Sequence, residues 1–166
     1  MSGMIKRKCV FAGTFDPPTK GHRAVVLDAL KLFDEVVVAI LVNPQKQPFF
    51  TVGERREMLQ LTLPQSERIR VVEFTGTADE LLKKENAVAY VRGIRNGVDL
   101  DYENANYYAS KKLDNDFLTV YLPCPQELLH VSSSLVRNCL QFHKPIDEFV
   151  TEETEKYIMG RQNERE

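Results

Sequence analysis

Short apolar runs rich in β-branched residues recur along the chain, separated by stretches with helical spacing. Cys9-Val10-Phe11-Ala12 is the first run and Val36 to Val42 the second; Ile69 to Phe74, Val88 to Val91 and Phe117 to Leu122 follow. The first two runs are apolar at consecutive positions rather than alternate ones, the pattern of parallel strands covered on both faces. Between the first two, Val25, Val26, Ala29, Leu30 and Phe33 repeat with the period of a helix. Thr51-Val52-Gly53-Glu54 and Thr77-Ala78-Asp79-Glu80 each have the form of a capping box, with the acidic residue three places after the threonine. Val98, Tyr102, Ala105 and Ala109 mark one face of a longer helix, and Ser133 to Leu140 begins another. A last helix is expected from Glu152 to about residue 160, with a charged tail over 161–166.

Strand and helix alternating in this way predict an α/β fold: a Rossmann-like, doubly wound sheet of five parallel strands with right-handed crossovers and helices on both faces. With 166 residues, no internal repeat and no linker, the chain reads as one domain over 1–166. Sheets of this kind bind ligands beyond the carboxyl ends of their strands, near the point where strand order reverses. The unusual residues fall there.

Composition narrows the partners. Lys plus Arg number 22 and Asp plus Glu 24, a formal charge of −2, which argues against a broad nucleic-acid surface. No apolar run approaches the ~20 residues that cross a bilayer, and Met1 to Lys8 is too short and too charged for a signal peptide. Cys9, Cys124 and Cys139 are isolated, fitting neither a disulfide framework nor a zinc site. Cys9 and Cys139 lie in apolar stretches and are expected in the core. No clustered Cys, His or Asp set suggests a metal held by the protein. A cytosolic chain with neither membrane nor nucleic-acid partner is expected.

The loop after the first strand carries the strongest chemical signal. Gly13-Thr14-Phe15-Asp16-Pro17-Pro18-Thr19-Lys20-Gly21-His22 has two prolines that fix backbone angles and two glycines that permit close approach of a ligand. His22 falls at a helix start, where free backbone N–H groups and the macrodipole favour an anion. It could donate to a phosphate whose charge grows during reaction, or it could simply cap the helix. The string is not a Walker loop, since Pro18 stands where that pattern needs glycine.

Three further pieces end on the same edge. Lys46, in Asn43-Pro44-Gln45-Lys46-Gln47-Pro48, follows the second strand in a loop held by two prolines. Arg92-Gly93-Ile94-Arg95 follows the fourth, and two guanidinium groups flanking a glycine suit phosphate oxygens. Asp99, Asp101 and Glu103 could be no more than the wet side of the next helix. Val131-Ser132-Ser133-Ser134-Leu135-Val136-Arg137 follows the fifth strand, and serine hydroxyls beside free helix N–H groups make a polyphosphate site.

The first string resembles the T/H-x-G-H signature of the nucleotidyltransferase superfamily. Taken in order, G-T-F-D-P-x-T-x-G-H, P-x-K, R-G-I-R, Y-E and S-S-S-L-V-R resemble phosphopantetheine adenylyltransferases, from about Lys8 to Val150. The resemblance implies transfer of the adenylyl group of ATP to 4′-phosphopantetheine, giving dephospho-coenzyme A and pyrophosphate on the route to coenzyme A. It implies catalysis by His22, Lys46, Arg92 and Arg95. It implies contact with ATP by Thr14, Phe15, His22, Gly93, Ile94, Arg95, Glu103 and the segment Leu128, Leu129, His130, Val131, Ser132, Ser133, Ser134. Phosphopantetheine falls to Thr14, Lys46, Ala78 and Arg92. Mg²⁺ delivered with ATP, feedback binding of coenzyme A and a homohexamer built from two trimers are implied as well. The chain departs from the usual pattern at Leu128, Leu129, His130, Asn104, Asn106 and Tyr107. Another adenylyl- or cytidylyltransferase, such as one acting on nicotinamide mononucleotide, is the alternative. A non-catalytic nucleotide sensor is a third reading, disfavoured because it needs only one phosphate site.

Overall fold

A computed structural model describes residues 4–165, so the first three residues of the charged amino-terminal stretch and the last residue of the tail lie outside it. Five strands carry the fold: β1 (Lys8–Gly13), β2 (Glu35–Leu41), β3 (Ile69–Phe74), β4 (Ala89–Ile94) and β5 (Thr119–Pro123). All pair in parallel, in the order β3-β2-β1-β4-β5. The expected doubly wound sheet is therefore present, with its order reversing between β1 and β4.

Six helices join and cover the strands: α1 (Lys20–Leu32), α2 (Val52–Thr62), α3 (Ala78–Glu85), α4 (Gly97–Leu113), α5 (Ser133–Gln141) and α6 (Glu152–Arg165). One core cluster joins Val25, Val26 and Ala29 of α1 to Cys9, Phe11, Val36, Val38 and Val91. A second, on the opposite face, joins Val10, Ala12, Val37 and Ala39 to Leu81 of α3. Alternate residues of β1 and β2 thus enter different cores, which is why both strands are apolar throughout. Cys9 is fully buried, and burial pushes its thiol up to about 12. The half-buried Cys139 packs against a third cluster, centred on Met58, Val136, Ile146 and Ile158.

The Thr51–Glu54 capping box forms: Thr51 N–H donates to the Glu54 carboxylate at 2.8 Å and Glu54 N–H to Thr51 Oγ1 at 3.2 Å. At α3, Thr77 N–H donates to the Glu80 carboxylate at 2.9 Å.

Three sequence expectations are corrected. Arg92, Gly93 and Ile94 do not follow the fourth strand but form its end, because pairing with β5 continues to Ile94 opposite Pro123. Residues 161–165, read as a tail, continue α6. The apolar stripe of α4 faces outward: Val98 is 78% exposed and Tyr102 67%, whereas Glu103 is its buried residue. Among the described residues, no helix is long and apolar enough to cross a membrane.

Candidate active site

At the switch between β1 and β4 the chain encloses a cavity of about 370 Å³, a size suited to a small-molecule ligand. Its wall draws on Thr14, Phe15, Asp16, Thr19, Gly21 and His22 after β1, and on Arg92, Gly93 and Arg95 around the end of β4. Asp99 and Glu103 come from α4, Cys124 follows β5, and Val131, Ser132, Ser133 and Arg137 come from the start of α5.

His22 is set by its own helix cap. Thr19 N–H donates to Nδ1 at 3.0 Å, while His22 N–H donates to Thr19 Oγ1 at 3.4 Å. The histidine takes the place that Glu or Gln occupies in an ordinary capping box. Because Nδ1 accepts, the ring proton of the neutral imidazole resides on Nε2. Burial, then the nearby Arg92 and Arg95 charges, push its pKa down to about 4, so the ring is neutral at pH 7 and Nε2–H remains a donor. Phe15 packs edge-on against the imidazole at 4.9 Å and against Phe11 at 5.5 Å. Phe15 adopts φ 52°, a left-handed conformation costly for a bulky side chain. That cost, on the order of 1–3 kcal/mol, sits in the loop with the strongest chemical signal.

The arginines are braced before any ligand arrives. Arg92 donates from Nη1 to the Ala12 carbonyl at 2.6 Å and from Nη2 to Glu103 at 2.8 Å, and it lies over the Tyr90 ring. Glu103 is therefore not the wet side of its helix; it is 8% exposed and orients a cation. Asp99 likewise accepts from Arg95 Nε at 3.0 Å and from its backbone N–H at 3.1 Å. Partial burial works against ionisation of Asp99, but these bonds hold its carboxyl below the ordinary value. Arg95 Nη1 also donates to the Val131 carbonyl at 3.2 Å, tying the end of β4 to the serine segment.

The three serines do different things. Ser132 caps α5, accepting from Leu135 N–H at 3.1 Å. Ser133 donates to the Pro17 carbonyl at 2.7 Å, and the exposed Ser134 accepts from Arg137 Nη2 at 3.0 Å. Arg137 Nη1 donates to the Asp16 carbonyl at 2.7 Å, so the start of α5 is fastened to the histidine loop. Gly93 is a packing requirement, since a Cβ there would stand 2.7 Å from Val25 Cγ2.

Of the residues singled out from sequence, Thr14, Phe15, His22, Arg92, Gly93, Arg95, Glu103, Val131, Ser132 and Ser133 are gathered around this cavity. Lys46, Ala78, Ile94, Leu128, Leu129, His130 and Ser134 are not among its lining residues. Lys46 is exposed on its loop, and the half-buried Ala78 opens α3. Leu128 instead lines a broader recess with Lys20, Arg23 and Leu61. Leu129 is 41% exposed, and the exposed His130 rests edge-on against Phe149. Asn104, one of the departures, accepts from Tyr121 O–H at 2.8 Å. The sequence reading overlooked Asp16, Thr19, Asp99 and Cys124 as wall residues. For Asp16 and Thr19 the signal was available inside the motif itself.

A family described as cytidylyltransferase-like matches residues 10–139. Proteins named phosphopantetheine adenylyltransferase align along nearly the whole chain. The one from Natranaerobius thermophilus is 31% identical over 93% of this chain and 95% of its own. The Thermotoga neapolitana protein is 36% identical over 93% of this chain and 96% of its own. The chain belongs to the phosphopantetheine adenylyltransferase family. The Francisella tularensis member is 38% identical over 89% of this chain and 92% of its own. Members of this family are nucleotidyltransferase enzymes. A crystal structure from Vibrio parahaemolyticus, provisionally assigned as a nicotinate-nucleotide adenylyltransferase, superposes with a TM-score of 0.70 over 94% of this chain and 93% of its own. At 19% identity it supports the Rossmann-like fold alone.

Proposed function

We infer that the cavity transfers the adenylyl group of ATP to the phosphate of 4′-phosphopantetheine, releasing pyrophosphate and forming dephospho-coenzyme A. The observation that carries this reading is a neutral His22 whose Nδ1 is occupied by Thr19, leaving Nε2–H as a fixed donor among three arginines. A phosphate oxygen of phosphopantetheine attacks the α-phosphorus of ATP. The new P–O bond forms as the bond between the α-phosphorus and the bridging oxygen breaks, and pyrophosphate departs. The nucleophile is already an anion, so no general base is needed. The protein's part is to hold two anions together and stabilise the charge that spreads over the α-phosphate.

His22 would donate to an α-phosphate oxygen. Lys46 and Arg92 would hold the acceptor phosphate with Thr14, while Arg95, Glu103 and the segment Leu128–Ser134 would serve ATP. Ala78 would meet the pantetheine arm. Mg²⁺ would enter as part of the Mg–ATP substrate. The cavity's carboxylates are already engaged, by Arg95, Arg92 and backbone N–H groups, and among the described residues no cluster of three or more His, Cys, Asp or Glu could hold an ion. Phosphate oxygens and water would therefore carry the metal.

The deciding experiment offers phosphopantetheine and nicotinamide mononucleotide separately with Mg–ATP and measures pyrophosphate. Release with phosphopantetheine, accompanied by dephospho-coenzyme A, is expected. Release only with nicotinamide mononucleotide would transfer the site to the alternative acceptor, and ATP binding without release under either condition would favour a sensor. The same reading includes a cytoplasmic homohexamer and feedback binding of coenzyme A. The outward apolar residues of α4, Val98 and Tyr102, supply a face for contact with a second copy. Light scattering should then give about 115 kDa, six times the 19.1 kDa chain. Coenzyme A should compete with phosphopantetheine in the pyrophosphate assay.

A further inference from the structure

Of the carboxylates in the cavity wall, Asp99 and Glu103 face arginines, whereas Asp16 directs both oxygens at a different loop. Phe49 N–H donates to Oδ2 at 2.7 Å and Phe50 N–H to Oδ1 at 2.8 Å, across more than thirty residues of sequence. Asp16 is 5% exposed and Phe50 2%, so water competes little for the Phe50 bond, while the Phe49 bond is partly buried. A buried carboxylate is tolerable only when its oxygens are matched by donors, and charge-assisted bonds are about twice as strong as neutral ones. The buried Arg55 of α2 supports the same place: it donates to the Thr14 carbonyl at 2.8 Å, and although burial lowers its pKa, the Asp16 charge opposes that shift.

The hooked segment is the loop that carries Lys46. Its other end is closed by a turn on Asn43, whose side chain accepts from Gln45 N–H at 2.9 Å and whose carbonyl accepts from Lys46 N–H at 3.1 Å. Lys46 therefore stands exposed between two anchors, and only the one on Asp16 reaches the cavity. Asp16 also fixes the opposite side of the site, because its own carbonyl accepts from Arg137 of α5.

We propose that Asp16 is a positioning residue: by holding the amides of Phe49 and Phe50 it sets where Lys46 stands relative to Thr14 and Arg92. It thereby places the acceptor phosphate while touching neither substrate. The inference rests on the reading that Lys46 and Arg92 bind that phosphate. A long flexible cation contributes little unless its backbone is placed, and a misplacement of ~1 Å can cost on the order of 100-fold in rate.

The test begins with wild-type enzyme, whose failure to form dephospho-coenzyme A would sink the functional reading before any variant is compared. Asp16→Asn keeps the size but turns one acceptor into a donor facing an N–H. The KM for phosphopantetheine should rise about tenfold or more, with the KM for ATP changing less than about twofold. Combined with Lys46→Ala, Asp16→Asn should add almost nothing to the phosphopantetheine effect of Lys46→Ala alone. Equal rises in both KM values, or full additivity in the double variant, would show a general structural role and overturn the proposal. If Asp16→Asn does not fold, amide exchange in the wild-type enzyme decides. Phe49 and Phe50 should be protected in the free protein, and more strongly than Gln45 and Lys46, whose amides bond only within the exposed turn on Asn43. Rapid exchange at Phe49 and Phe50 would overturn it.

Discussion

His22 keeps its proton on Nε2 because Thr19 N–H already occupies Nδ1, and it stays neutral because burial and two arginines oppose a further charge. His22→Gln separates these roles. Glutamine is a natural partner in a capping box, so its carbonyl can take over the bond from Thr19 while the fixed ring donor is lost. Turnover should fall roughly 100- to 1000-fold, the loss typical of one preorganised donor, with thermal unfolding at pH 7 little changed. The variant also has a pH signature. The folded pKa of about 4 lies below the ordinary value of 6.5, so between these pH values the unfolded chain binds more protons than the folded one. Stability from this group is complete above pH 6.5 and is lost as pH falls toward 4. Melting temperatures measured across that window should fall less steeply for His22→Gln than for wild type. Parallel curves would mean that His22 does not titrate as the geometry requires.

Elements, unlike single side chains, were legible in the sequence mostly where burial is two-sided. β1 and β2 could be read directly because both of their faces enter a core. The end of β4 was hidden because ladder pairing with β5, rather than hydrophobicity, carries it through Arg92 to Ile94. α4 misled for the opposite reason: its apolar residues face outward and its inward residue is Glu103, which is buried as the partner of Arg92 in the strand just before it, a pairing that hydrophobic periodicity does not register. The histidine loop could be recognised from its residues, but the role of Asp16 could not, because its partners lie on a distant loop. Gly93 links these cases. It sits in the extended end of β4 beneath α1, where its missing Cβ admits Val25. Gly93→Ala would bring a methyl group to 2.7 Å from Val25 Cγ2, and the buried β-branched valine has little freedom to move. Denaturant titration should show a loss of about 1–3 kcal/mol, as overpacking costs elsewhere, with recovery when Val25→Ala is added. A Gly93→Ala protein as stable as wild type would show that α1 can shift away from β4 at no cost.

On the scale of the whole molecule, the site depends on a third core that belongs to neither face of the central strands. Phe50, Met58, Val136, Leu140, Ile146, Val150 and Ile158 pack together, joining α2, α5 and α6 beside the loops that carry the chemistry. Thr62 and Thr154 share a buried hydrogen bond of 2.7 Å across the same seam. The segment leading into α6 also reaches α1: Lys20 N–H donates to the Phe149 carbonyl at 2.9 Å and Lys20 Nζ to the Asp147 carbonyl at 2.8 Å, two residues before His22. The C-terminal region is thus part of the support for both reacting sides, since Phe50 is hooked to Asp16 and Val136 lies in the helix that fastens Arg137. Ile158 is fully buried in this cluster, and truncating it to alanine should cost about 2–5 kcal/mol. Because the sheet and the His22 cap are untouched, the remaining folded protein should keep its kcat, and unfolding should stay a single transition with a lower midpoint. An early transition, separate from that of the sheet, would instead identify α6 and its neighbours as a unit that opens alone. The anchors on Lys20 and Phe50 would then open with it, and activity would be lost at that first transition.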